Sequence, residues 1–412
     1  MKQIEIMSPA GNFEALAAAI QGGANSVYFG VGDLNMRSHS ANNFSIEDLP
    51  EIVERCKSAG VKSYLTLNIV LYDEDMEPMH KTVDAAVKAG ITAVIASDIA
   101  AITYARSKGM EVHISTQLNI SNTESVRYHS QFADVMVLAR ELNLYQIKSI
   151  SEAIEKEGIR GPSGNLVKIE LFCHGALCMA ISGKCYLSLH ETGASANRGN
   201  CYQICRRGYE VTDLETDRSL HIDNKYIMSP KDLSTIEFLD KIIDAGVTVM
   251  KIEGRARSAD YVKSVTSAYR RAADAYIEGR FDESLKTELK AETAKVFNRG
   301  FWDGYYQGAR LGQWSEIYGN KATKKKIYTG KVTNFFSNLS VAEILVETGE
   351  LCLGDEILIM GPTTGVVEII VGEIRVDLKP VDRCEKGVYC SIPVNGDVRL
   401  RRSDKVYIWK NV

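Results

Sequence analysis

The feature that most constrains this chain is a beat that repeats through its first 280 residues: a short β-branched run, an amphipathic stretch, then a glycine. "QIEIMSPAG" leads into "NFEALAAAIQGG", "NSVYFG" into "SIEDLPEIVERCKSAG", and "TAVIASD" into "IAAITYARSKG". Apolar runs of strand length alternating with helix-length periodic segments predict parallel strands joined by helices, with both sheet faces covered. The seventh strand is "VKIELFCHG", and "VTVMKIEGR" supplies a late one. Between them "YIMSPKDLSTIEFLDKIIDAG" resembles the opening unit, with a short strand of its own. The expected fold class is α/β, a (β/α) TIM-like barrel of about eight units over residues 1–280, with a doubly wound open sheet as the other solution. A Cys-rich insertion at about 175–225 then follows a barrel strand. Residues 281–325 read as a helical and aromatic connector whose "NRGFWDGYYQG" packs on the barrel. From 326 to 412 the rhythm changes to short alternating runs such as "LSVAEILVET" and "GDEILIMGP", the pattern of a small antiparallel β-barrel.

The first residues hold no signal-peptide apolar core, and no apolar run approaches the roughly 18 residues of a membrane helix. A cytoplasmic location is expected, where a reducing environment turns cysteines away from structural disulfides. The net charge of −4 excludes a globally polycationic protein. Basic residues nevertheless cluster late, in "KATKKKIYTGK" and "RLRRSDK". Lys324, Lys325, Lys326, Arg399, Arg401 and Arg402 are therefore candidates for RNA phosphates, the alternative being a solvated face.

Five of the nine cysteines fall between positions 173 and 205. Cys178, Cys185, Cys201 and Cys205 stand among glycines that let the backbone wrap a small body, and four thiolates from one loop suit either tetrahedral zinc or an iron–sulfur cluster. Cys173 lies inside an apolar strand and reads as core, as do Cys56, Cys352, Cys384 and Cys390.

Barrel active sites gather at the C-terminal strand ends. Reading those ends gives Glu5, Ser8, Asn68, Asp98, Gln117, Arg140 with Glu141, His174, Lys251, Glu253 and Arg255, with Arg37 after the second strand. Arg37, Arg140 and Arg255, with Asn68 and Gln117, suit a carboxylate or phosphate. Glu5, His174, Lys251 and Glu253 are the acid or base candidates. A peptidase would need different equipment. No H-E-x-x-H or G-x-S-x-G occurs, and Cys178 with His174 is the available thiol and base, a role that excludes Cys178 from a cluster.

"ELFCHGALCMAISGKCYLS", "NRGNCYQICRR", "MSPKDL", "KIEGR" and "NRGFWDGYY" together resemble the peptidase U32 family, over essentially the whole chain. Some members are labelled collagenase-like proteases. Others resemble oxygen-independent hydroxylases of the tRNA wobble uridine, of ribosomal RNA or of ubiquinone precursors. The tRNA type, the nearest in the Cys loop and trailing β-domain, implies a 4Fe-4S cluster on Cys178, Cys185, Cys201 and Cys205, with prephenate as oxygen donor and tRNA as partner. The resemblance thus implies 5-hydroxylation of tRNA uridine. A U32 peptidase and an RNA-binding protein with a structural zinc are the alternatives.

Overall fold

The computed structural model describes residues 4–38, 43–209, 215, 228–315, 319–394, 396 and 398–412. Most of the end of the Cys-rich insertion, between 210 and 225, therefore lies outside the described residues. Strands β1 (Glu5–Pro9), β2 (Ser26–Gly30), β3 (Lys62–Leu67), β4 (Ala93–Ala96), β5 (Glu111–Ile114), β6 (Val135–Val137) and β7 (Lys168–Gly175) pair in parallel, each with the one before. Two more strands follow the Cys-rich segment, β8 (Asp232–Ser234) and β9 (Val249–Ile252). Because β9 pairs in parallel with both β7 and β1, it closes an eight-stranded α/β barrel.

Every residue of β2 and β4 is buried, as strands covered on both faces require. Alternation divides the burial. Met7, Tyr28, Tyr64, Ala93, Ile95, Val135 and Val249 fill the barrel interior, while Ile6, Val27, Leu65 and Val94 join the larger core under the helices. Local signals set the helix ends. Asn143 and Gln146 form a reciprocal capping box at the start of helix Leu144–Glu157, and Gly90, at φ 82°, stops helix Met76–Ala89 in the left-handed conformation.

The segment that resembles the opening unit adds no barrel strand. β6 pairs only with the first part of β7, so the outer edge of β7 beyond it is free, and β8 takes that edge antiparallel with His174 opposite Ser234. The two-residue strand β10 (Phe301–Trp302) extends this flap alongside β8. The aromatic stretch that follows is docked, since Tyr306 is buried and its hydroxyl donates to the Phe172 carbonyl at 2.8 Å.

The remainder is an eight-stranded antiparallel sheet with a separate two-stranded one, Glu350–Cys352 against Arg383–Glu385. The larger sheet's longest pairing joins the strand Lys324–Phe336 to the C-terminal strand Lys405–Asn411, and strands from both ends of the order share one core around Val332, Ile344, Ile359 and Ile408. The outer face of this sheet is welded to the barrel. Leu358, Met360, Val366 and Trp409 belong to the barrel's core. The Gln21 side chain donates to the Thr364 carbonyl at 2.7 Å and accepts from Val366 N at 2.9 Å. No helix among the described residues is long and apolar enough to cross a membrane.

Candidate active site

A cavity of about 140 Å³ opens at the C-terminal ends of the barrel strands, roofed by the Cys-rich segment. Cys178, Cys185, Cys201 and Cys205 all line it. So do Arg37, Asn68, Gln117, Arg140, Lys251, Glu253 and Arg255, which arrive from different strand ends and loops. Eleven of the residues singled out from the sequence thus meet in one space.

Several contacts hold the roof in place. Arg198 binds Asp75 at 2.6 Å, Arg206 donates to the Leu177 and Pro230 carbonyls at 2.6 Å each, and Asn119 donates to the Ser182 carbonyl at 3.1 Å. Gly199 is required twice over. Its φ is 89°, and a Cβ there would lie 2.0 Å from Ser38 Oγ.

The floor is charged. Arg37 binds Glu253 at 2.9 Å, and Lys251 binds Glu170, which is fully buried, at 2.6 Å. Burial pushes the Glu253 carboxyl up, but the guanidiniums of Arg37, Arg140 and Arg255 outweigh it and hold the group below its ordinary value. Arg255 donates to Asn35 Oδ1 and Thr66 Oγ1, both at 2.9 Å, and burial brings it down to about 10. Arg140 stacks over the Phe172 ring at 3.7 Å and donates to the Ala176 carbonyl. Four cations therefore face two carboxylates, Glu170 and Glu253, which leaves the floor an excess of positive charge suited to an organic acid or phosphate.

Two expected acid or base residues stand elsewhere. Glu5 is the first residue of β1, at the opposite end of the barrel, where it binds Lys62 at 3.2 Å and accepts from Tyr64 at 2.7 Å. His174 follows the bulge in β7 and is turned away from the cavity into a nest of Tyr269, Tyr261 and Phe301. Burial lowers its imidazole to about 3. It forms no pair with Cys178, so the thiol and base expected of a peptidase are not assembled by these two residues. Ser8 and Asp98 serve the scaffold, one bonded to Thr266 and the other capping a helix.

The late basic residues also separate. Lys324 pairs with Glu356, and Lys326 with Asp260 at the junction of the two domains. Lys325, between them, is exposed. Arg399, Arg401 and Arg402 line a surface cleft with Tyr389 and Phe335, and none has an ion-pair partner among the described residues.

Sequence reasoning missed Glu170, although a lone carboxylate within "VKIELFCHG" was a signal, since charge in a fully buried strand requires a partner. Tyr28 and Phe172, whose rings face the Lys251 ammonium at 4.8 and 5.3 Å, carried no signal that separates them from core aromatics.

The four thiols line the cavity together. Among the described residues no three Cys, His, Asp or Glu side chains are gathered to hold a single metal ion. Four thiols on one cavity are a donor set that zinc or an iron–sulfur cluster accepts.

A closed (β/α) barrel with a cysteine-lined, cation-rich cavity at its catalytic rim defines an α/β-barrel enzyme. The chain belongs to peptidase family U32, whose model matches residues 11–316. A collagenase of Porphyromonas gingivalis is 57% identical over 99% of this chain and 98% of that one. An uncharacterized protease of Methanocaldococcus jannaschii is 38% identical over 100% and 99%. The tRNA hydroxylation protein P1 of Bacillus subtilis is 34% identical over 88% and 84%.

Proposed function

We propose that this U32 enzyme is an oxygen-independent RNA hydroxylase that carries a 4Fe-4S cluster, with C5 of the tRNA wobble uridine as target and prephenate as oxygen donor. The observation that carries this reading is the convergence of Cys178, Cys185, Cys201 and Cys205 on the same cavity as Arg37, Arg140, Lys251 and Arg255. These four cysteines would hold the cluster, which when bound supplies electron-transfer or Lewis-acid chemistry beyond the reach of side chains. The protein's own part is binding and orientation. Arg140 and Arg255 receive the donor's carboxylates, Glu253 fixes Arg37, and Phe172 and Tyr28 offer ring faces. Lys251 stands as the proton-bearing group beside them.

The exposed arginines Arg399, Arg401 and Arg402, with Tyr389 for stacking, would grip the RNA backbone. Lys324 and Lys326, already paired with carboxylates, are removed from that role. Reversing the three arginines should weaken tRNA binding and flatten its salt dependence without changing iron content.

A second reading is a peptidase. It is favoured by the name of the 57% identical relative and of a second collagenase, 54% identical over 87% of this chain. One comparison separates the two. Protein purified without oxygen should hold about four iron and four sulfide per chain, and Cys185→Ala should lose them. Nucleosides from a deletion strain should lack the hydroxylated uridine. Iron-free protein that resists reconstitution but cleaves collagen peptides would overturn the hydroxylase.

A further inference from the structure

A second cavity, of about 90 Å³, adjoins the first at the C-terminal ends of β3 to β5, and the reading above does not use it. Met36, Asn68, Gln117, Gly183 and Asn197 line both, so one layer of residues divides them. Val70, 45% exposed, and Lys184, also exposed, bring this side chamber to the surface beside the roof. The main cavity, at about 140 Å³, matches the roughly 150 Å³ in which a single benzene ring is held. Its cysteines and cations commit that space to the cluster and the organic acid, so a further ring needs room of its own. The cations stand on or after β2, β6 and β9, whereas the dividing wall is neutral and carries amides. One backbone group sets the hydrogen-bond sense of that wall. Met36 N–H donates to Asn68 Oδ1 at 3.2 Å, so Asn68 Nδ2 donates to Gln117 Oε1 at 3.3 Å, and Ser115 Oγ donates to the same oxygen. Gln117 Nε2 is left a donor with no partner among the described residues. Asn197 Oδ1 is a buried acceptor without a partner. At the lip, Asp98 spends its carboxylate oxygens on the backbone N–H groups of Leu71 and Ala100, while Lys184 has no ion-pair partner among the described residues.

We propose that the side chamber is the subsite for the pyrimidine ring of the RNA, with Gln117 donating to the 4-oxo group, Asn197 accepting from N3–H and Lys184 meeting the adjoining phosphate. Uracil carries that acceptor and that donor side by side. Cytosine presents an amine and a bare N3 in the opposite sense, so in the same seat it sets donor against donor and acceptor against acceptor. The ring enters edge first and leaves its sugar at the open lip. The assignment rests on the RNA reading and adds to it where the base lodges and which base fits. Asn68 acts through Gln117 and is a positioning residue. Gly183, at φ 74°, keeps the roof close: a Cβ there would stand 2.9 Å from Gln117 Cγ.

The test is a 19F NMR titration of protein purified without oxygen, using 5-fluorouridine 5′-monophosphate and 5-fluorocytidine 5′-monophosphate, with prephenate binding followed by calorimetry. The uridine probe should bind about tenfold more tightly than the cytidine probe. Gln117→Met, which keeps the bulk and removes the donor, should weaken the uridine probe by about that factor, erase the preference and leave prephenate binding unchanged. Lys184→Gln should weaken both monophosphates but not 5-fluorouridine itself. Val70→Trp, made at the exposed lip, should shut out both nucleotides while prephenate still binds, and it decides the matter if Gln117→Met does not fold. Equal affinity of wild type for the two probes, no binding of either, nucleotide binding untouched by Val70→Trp, or a matching loss of prephenate overturns the subsite. Wild type that discriminates the probes as stated but leaves tRNA unhydroxylated sinks the hydroxylase reading alone. Active wild type whose nucleotide binding ignores Gln117→Met and Val70→Trp sinks the subsite alone.

Discussion

Breaking the Glu170–Lys251 pair from either side should cost different amounts, because the two partners have different places to go. Glu170 is 0% exposed, so Lys251→Met strands a carboxylate in the barrel interior, with His113 Nδ1 standing 3.9 Å away. Orphaning a buried charge costs about 3–5 kcal/mol, and Lys251→Met should lose about that much. Glu170→Gln instead leaves the ammonium an amide oxygen, two aromatic faces and a place on the cavity wall, and should cost about 1–2 kcal/mol. The double variant Glu170→Gln/Lys251→Met removes both charges and should recover most of the Lys251→Met loss, giving a coupling energy of about 2 kcal/mol. Urea unfolding at pH 7, followed by circular dichroism, measures all three. Equal losses from the two single variants, or a Lys251→Met loss under about 1 kcal/mol, would refute the asymmetry.

The depressed Glu253 carboxyl contributes stability that is complete above its ordinary value of 4.5 and lost as pH falls through the lower folded value. Glu253→Gln should flatten that acid limb of the melting temperature, and an unchanged slope would count against the pairing. For His174 the sense differs. The unfolded chain takes up a proton between about pH 6.5 and 3 that the folded one refuses, so stability rises with pH across that window. His174→Gln should remove the slope, and an unchanged slope would show that another group carries it. Gly199→Ala, with its Cβ driven into Ser38, should loosen the roof and open it to limited proteolysis, which a digestion time course reads directly.

The sequence by itself determined the periodic part of this protein. Alternation of apolar runs and helical stretches predicts parallel barrel strands because burial on two faces leaves few other arrangements, and the glycine-rich cysteine run marks the loop that roofs the mouth. The strand-end rule gathered Arg37, Asn68, Gln117, Arg140, Lys251, Glu253 and Arg255, since position along a parallel strand fixes which rim a residue reaches. Tertiary structure decided whatever depends on side-chain direction and on partners distant in the chain. Glu5 starts its strand and so faces the wrong end. A bulge in β7 turns His174 outward into aromatic rings, and the free edge of that strand captures the segment that imitates a barrel unit. Lys324 and Lys326 lose their availability to Glu356 and Asp260, the second of these on the other domain. Glu170 acquires its meaning only when barrel closure brings β9 against β7, 81 residues apart at the Lys251 contact. Periodicity is a local property and survives in one dimension, whereas the neutralisation of a buried charge depends on which strands become neighbours, and only closure of the sheet fixes that.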